Sequence, residues 1–248
     1  MSDSTTAPGV LLDVQSIDAG YGAVQVLFGA SIQVHERERV ALLGTNGAGK
    51  STLLRAVSGL LPPTAGRVWF KGEDVTGASA QRLVEMGLIY IAGGNATFPA
   101  LTVAENLRMS AYPYRRDRAR VAARLDEAYE LFPRLRDRMD QKAGTLSGGE
   151  QQMVAVGRAL VANPELLIID ELSLGLAPIV LQLIQEMIGT LAERGITMLI
   201  VEQSLNMAAA VAQRAYFMEK GEVRFEGPLD DLVARGDLVR SVFFGQKG

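Results

Sequence analysis

The apolar residues of this chain fall into short blocks whose spacing changes along its length. Val40-Ala41-Leu42-Leu43, Leu88-Ile89-Tyr90-Ile91, Leu166-Leu167-Ile168-Ile169 and Ile196 to Val201 are nearly continuous apolar runs. Short runs of this kind, bounded by turn residues, predict strands covered on both faces. Between them the spacing becomes helical, with Leu53, Leu54 and Val57 on one face and Val121, Leu125, Ala128 and Phe132 on another. Leu11 to Ile17, Val24 to Val34 and Arg67 to Phe70 predict further strands, with Gly20-Tyr21-Gly22 as a turn. Ser79 to Met86 and Leu205 to Val211 predict short helices, and Pro178 to Arg194 a longer one stopped by Gly195. Ala215 to Glu226 folds back through Lys220-Gly221, and Pro228 opens a helical tail running to Phe243-Phe244.

The strand pattern vanishes between Gly93 and Asn163. Thr102-Val103-Ala104-Glu105 is a capping box that opens a helix, and Ser147 with Glu150 fits a second. The basic run Arg115 to Arg120 is diluted by Asp117, Asp126 and Glu127 and reads as a solvated helix face. The fold class is therefore α/β, a single domain over 10–248 with a mainly helical subdomain inserted over about 93–163. Residues 1–9 are small, polar and proline-containing, and read as a disordered start.

Composition narrows the function. The length of 248 residues suits one large core. The net charge of −3 lacks the basic excess that nucleic acid or an acidic membrane surface asks for. With no cysteine and a single histidine, His35, placed in a charged turn with Glu36 to Glu38, neither disulfides nor a transition-metal site is expected. No apolar run reaches the ~20 residues that span a bilayer.

The chemistry begins at Gly44-Thr45-Asn46-Gly47-Ala48-Gly49-Lys50-Ser51-Thr52, a glycine-rich loop between a predicted strand and a predicted helix. Such a loop turns backbone N–H groups and a helix N-terminus toward phosphate oxygens. Lys50 would reach the terminal phosphates and the Ser51 hydroxyl would ligate magnesium. Asp170 and Glu171 close an apolar strand, and the carboxyl ends of parallel strands face the ligand crevice. One acid there can hold magnesium through water, and the other can orient and deprotonate an attacking water. Leu146-Ser147-Gly148-Gly149-Glu150-Gln151-Gln152 exposes a helix N-terminus, a second place for an anion.

Together these stretches resemble the ATP-binding subunit of an ABC transporter. Gly44 to Thr52 is similar to Walker A, Leu146 to Gln152 to the LSGGQ-type signature, and Leu166 to Glu171 to Walker B. Ser173 to Pro178, Phe98 to Leu107 and Val201-Glu202-Gln203 resemble the branched-chain amino-acid importer subgroup. The resemblance implies a P-loop NTPase fold with a mainly parallel sheet, an N-terminal antiparallel β part and an inserted helical subdomain. It implies ATP and Mg2+ as cofactors, with Ser51 and Asp170 at the metal and Glu171 and Gln203 as catalytic groups. Tyr21 stands where the family stacks an aromatic on adenine. The implied partners are a second ABC ATPase, identical or different, integral membrane permease subunits and a solute-binding protein. Ser147, Gly148 and Gly149 would act in trans on the partner's ATP. The implied location is the cytoplasmic face of the membrane, with a groove of the helical insertion receiving a permease helix. Two positions depart from the pattern: Gly93 replaces a Gln that links magnesium and water to the permease, and Leu172 replaces the Pro after the catalytic acid. Gly93 raises a second reading, a nucleotide-switched subunit with weak hydrolysis.

Overall fold

The computed structural model describes residues 9–93, 97–171 and 178–235. The chain opens with strands β1 (Val10–Tyr21) and β2 (Val24–His35), then β3 (Arg39–Gly44), helix α1 (Lys50–Val57), β4 (Ala65–Phe70) and the short β5 (Glu73–Asp74). Helix α2 (Ala80–Met86) and β6 (Leu88–Ile91) follow. The helical part comprises α3 (Val103–Met109), α4 (Arg118–Leu131), α5 (Pro133–Asp137) and α6 (Gly148–Val161), with two short 3-10 turns. The chain then returns to β7 (Leu166–Asp170), α7 (Pro178–Glu193), β8 (Thr197–Val201), α8 (Leu205–Val211), β9 (Arg214–Glu219), β10 (Glu222–Pro228) and α9 (Leu229–Ala234).

Two sheets result. One is antiparallel, in the order β2-β1-β4-β5, and the other runs β10-β9-β3-β8-β7-β6. In the second, all pairings from β9 to β6 are parallel and only β10 is antiparallel. This is the anticipated mainly parallel sheet with an antiparallel β part from the N-terminal region. The apolar runs have the cause their composition suggests. Val40 and Leu42 face a core shared with Leu12, Ile17, Leu53 and Leu54, whereas Ala41 and Leu43 face one shared with Ala208 and Phe217. In β7, Leu166 and Ile168 join the first core, and Leu167 and Ile169 pack toward the helical part with Met153, Val156 and Leu191. Each large apolar side chain so buried contributes roughly 1.5–3 kcal/mol.

Local signals set the helix starts. Ser79 caps α2 through the Arg82 N–H, and Thr102–Glu105 and Ser147–Glu150 both form complete capping boxes. Asn106 is fully buried because it holds the preceding loop: its Oδ1 accepts from the Phe98 N–H at 2.8 Å, and its Nδ2 donates to the carbonyls of Phe98, Leu101 and Thr102. Several boundaries shift. Tyr21 is the last residue of β1 rather than part of the turn, because it pairs with Val24 across a two-residue link. His35 likewise ends β2 by pairing with Val10. The stretch after Gly93 is not wholly free of extended pairing, since Thr102 and Lys142 form an isolated bridge. Of the start expected to be disordered over 1–9, Gly9 is described and its carbonyl accepts from the Glu36 N–H at 2.9 Å, while residues 1–8 and the helical tail beyond 235 lie outside the described residues.

Arg214, at the start of β9, fastens this arrangement. Its Nε and Nη2 donate to the two Glu38 oxygens at 2.7 and 2.9 Å. Nη2 also donates to the Gln33 carbonyl at 2.6 Å, and Nη1 to Glu226 and the Tyr216 hydroxyl. One side chain thus ties β9 to β2, to β10 and to the turn before β3. Burial pushes the Glu38 carboxyl up, but hydrogen bonds from Arg214 and the His35 N–H, with the Arg214 charge, outweigh it and hold the pKa below its usual value.

Removing the guanidinium strands a half-buried carboxylate. Arg214→Ala should lower unfolding free energy by about 3 kcal/mol in urea titrations near neutral pH. Because the folded-state pKa of Glu38 is depressed, its contribution is full above the unfolded value and fades as pH falls through the folded one. The variant should therefore lose less stability than the parent on acidification across that interval. Equal stability and equal acid slopes would contradict the assignment.

Candidate functional site

The loop Gly44 to Thr52 joins the carboxyl end of β3 to the first turn of α1. Gly49 precedes the helix at φ 101°, and a Cβ there would stand 2.9 Å from Leu27 Cδ2 and 3.4 Å from Gly221 Cα. A side chain would be both strained and obstructed, so glycine is required. The Ala48 N–H donates to the Thr45 carbonyl at 3.1 Å, and the Ala48 carbonyl accepts from the Gly221 N–H at 2.9 Å. The Gly221 carbonyl in turn accepts from Phe28 of β2 at 3.0 Å. The β9–β10 turn therefore clamps the loop from below. Asn46 to Thr52, with Val26 and Glu171, line an open cavity of about 270 Å³ above it.

Lys50 is buried, at 5% exposure. Its Nζ donates to the carbonyls of Gly44 at 2.8 Å and Thr45 at 3.1 Å, and lies 3.9 Å from Glu171 Oε1. Burial pushes the ammonium pKa down, and the charges of Glu171 and Asp170 oppose that. With two of its three donors on main-chain oxygens, the ammonium is fixed over the loop by backbone rather than by a mobile side chain.

The acids arrive at the carboxyl end of β7, which β8 separates from β3. Asp170, the last residue of β7, pairs in register with Val201 of β8. The Glu171 N–H extends that ladder to the Val201 carbonyl at 3.0 Å. Glu171 then turns to φ 48°, a left-handed conformation that costs a non-glycine residue on the order of 1–3 kcal/mol. The turn brings its Oε1 to within 2.8 Å of Gln203 Nε2, which donates to it from the end of β8. The N–H of the intervening Glu202 donates to the Leu42 carbonyl and keeps that end against β3.

Asp170 is asymmetric. Its Oδ2 accepts from the Tyr90 hydroxyl at 2.9 Å, whereas its Oδ1 is buried with no hydrogen-bond partner among the described residues. Burial raises its pKa, while the Tyr90 hydroxyl, the adjacent Ser51 hydroxyl and the Lys50 charge favour the ionised form. An orphaned buried carboxylate oxygen beside a hydroxyl suits a hard divalent cation. Among the described residues no group of three or more acids or histidines could hold a metal unaided. The donor set therefore fits magnesium that brings phosphate and water oxygens with it.

Of the residues singled out from the sequence, Asn46 to Thr52 and Glu171 line one cavity, Gln203 stands behind them bonded to Glu171, and Asp170 lies next to Ser51 and Lys50. Gly93, at the end of β6, is packed against the same acids: a Cβ there would lie 3.0 Å from the Asp170 carbonyl oxygen and 3.7 Å from Glu171 Cβ. A longer side chain at this position must displace the acids' backbone by a few tenths of an ångström. Tyr21 does not line the cavity. It stands beside it, 44% exposed, with its hydroxyl accepting from Arg55 at 2.9 Å and placed against Thr52. Ser147, Gly148 and Gly149 also stay outside the cavity, with Ser147 and Gly148 exposed at the start of α6. Residues 172–177, the region of Leu172 and the Ser173–Ala177 stretch, lie outside the described residues.

Sequence reasoning missed Tyr90 and Val26. The only advance signal for Tyr90 was a hydroxyl within an otherwise aliphatic strand. Farther out, β6, α2 and α6 enclose a groove of about 640 Å³, lined by Val84, Ile89, Ile91, Phe98, Tyr112 and Arg158 among others. The Arg158 guanidinium lies 4.6 Å from the centre of the Phe98 ring. No helix among the described residues is long and apolar enough to cross a membrane.

The family profile described as ABC transporter matches residues 27–173. A relative from Pseudomonas aeruginosa, the high-affinity branched-chain amino acid transport ATP-binding protein BraG, is 42% identical over 86% of this chain and 91% of its own. The probable branched-chain amino acid transport ATP-binding protein LivF of Archaeoglobus fulgidus is 35% identical over 90% and 94% respectively. Among solved structures, a nucleotide-free ATP-binding cassette from an ABC transporter superposes with a TM-score of 0.85 at 27% identity, covering 96% of this chain and 100% of that one. The ADP conformation of the cassette MJ1267 does so with the same score and identity, covering 96% and 99%.

The position of Lys50 generates a direct test. Replacing it by Ala removes the buried ammonium held over the loop, so Lys50→Ala should weaken nucleotide triphosphate binding roughly 100-fold or more by calorimetry, as expected when a buried charge loses its partner. Retained affinity would place the phosphates elsewhere.

Proposed function

This chain belongs to the ABC transporter family, and we propose that it is the ATP-binding and ATP-hydrolysing subunit that energises a membrane permease for uptake of branched-chain or related amino acids. The observation that carries this reading is the placement of the Glu171 carboxylate. It lies within 2.8 Å of Gln203 and 3.9 Å of Lys50 and lines the phosphate-loop cavity. The loop N–H groups and Lys50 would hold the triphosphate, with Ser51 and Asp170 holding magnesium. Magnesium, when bound, would neutralise charge developing on the phosphate oxygens. Glu171 would accept the proton of the attacking water, and the Gln203 amide, already a donor to Glu171, would orient that carboxylate and hydrogen-bond the terminal phosphate.

Two subunits, identical or different, would pair head to tail, each presenting the start of its α6, Ser147 to Gly149, to the other's ATP. The exposure of Ser147 and Gly148, away from this chain's own loop, supports an action in trans. The groove between β6 and α6 is our candidate for the permease helix, which would place the chain at the cytoplasmic face of the membrane, with a solute-binding protein serving the permease outside. Tyr21, 44% exposed beside the cavity with its hydroxyl held by Arg55, is our candidate to stack on the adenine.

A weakly hydrolysing switch is the second reading, and Gly93 is what favours it. The retained Glu171, held by two partners, weighs for hydrolysis. Glu171→Gln keeps the shape and removes the base, so steady-state phosphate release with the permease should fall roughly 100-fold or more while nucleotide affinity persists. Unchanged turnover would leave the switch reading standing.

A further inference from the structure

Strand β6 is the edge of its sheet, and Tyr90 on it meets two places at once. It lines the groove together with Ile89 and Ile91, and its hydroxyl donates to Asp170 Oδ2 at 2.9 Å. Its ring packs on the core shared by β3, β7 and α1, so the hydroxyl is delivered from a supported position. Asp170 keeps one buried oxygen with no hydrogen-bond partner among the described residues. A hydrogen bond to one carboxylate oxygen fixes the torsion of the group and thereby the direction of the other oxygen. Gly93, shortly after Tyr90 on the same segment, has no side chain with which to do this.

We propose that Tyr90 is a positioning residue: its hydroxyl holds the Asp170 carboxylate so that the free oxygen is presented to the cation, and it ties that carboxylate to the wall of the groove. The inference rests on the reading of Asp170 as the magnesium carboxylate. A purely structural tyrosine would influence stability and leave cation affinity alone. A positioning tyrosine changes cation affinity even where the fold is intact, because metal sites lose roughly 10–100-fold when an outer partner of a ligand is removed.

The test uses the full chain, a non-hydrolysable ATP analogue and Mn2+ as a paramagnetic probe. Tyr90→Phe keeps the ring and removes the donor. The Mn2+ concentration for half-saturation of the analogue-bound protein should rise roughly 10-fold or more. Analogue affinity in EDTA should stay at the parent value, and the circular-dichroism spectrum should match the parent's. Tyr90→Leu, lacking ring and donor, should lose Mn2+ affinity by a similar factor. Parent-like Mn2+ affinity in Tyr90→Phe would overturn the inference, as would a loss confined to Tyr90→Leu, which would assign the effect to packing. An analogue affinity that falls equally in EDTA would overturn it too. A parent whose analogue complex binds no Mn2+ would instead remove the underlying reading of Asp170.

Discussion

Strands β3, β7 and β8 are enclosed on both faces, with every residue from Val40 to Leu43, Leu166 to Ile169 and Thr197 to Val201 buried. A backbone in that position must spend its N–H and C=O groups on neighbouring strands, and its side chains on apolar packing. Polar chemistry is then confined to the strand ends. In a parallel sheet those ends lie on one edge, so Gly44, Asp170 and Val201 leave the core side by side. The loop, the two acids and Gln203 meet because three buried strands stop together.

The same enclosure explains the unusual local features at that edge. Lys50 is buried because its stem follows the loop out of the core, and two main-chain carbonyls compensate its ammonium. Glu171 occupies left-handed backbone because it must both complete the ladder to Val201 and turn its carboxylate toward Lys50 and Gln203. The approach of Gly93 to the Asp170 carbonyl belongs to this economy of space. Any Cβ at that position would need the Asp170 carbonyl to give by a few tenths of an ångström.

Much of this was legible in advance. Continuous apolar runs located β3, β6, β7 and β8, and the two capping boxes located the starts of α3 and α6 to the residue. The glycine-rich loop and the acids at a strand end carried their chemistry in their residue types. What stayed hidden depends on contacts between distant segments. Arg214 reads as an ordinary charged residue opening a strand, yet it joins Gln33, Glu38 and Glu226. Tyr90 reads as one more apolar position, and only the parallel pairing of β6 with β7 brings its hydroxyl to Asp170. The bond from Arg55 to the Tyr21 hydroxyl was equally hidden, because it depends on how β1 lies against α1. Local pattern reports periodicity and capping; it is silent on which polar side chains share a space.

The account stands on one arrangement: triphosphate on the loop, and the cation between Ser51 and the free oxygen of Asp170. A crystal structure of the chain soaked with a non-hydrolysable ATP analogue and Mn2+ would locate both at once, the metal by its anomalous scattering. The predicted result is phosphate density along Asn46 to Thr52 with one anomalous peak at Ser51 and Asp170. An anomalous peak away from Asp170, or nucleotide density outside the loop, would contradict it.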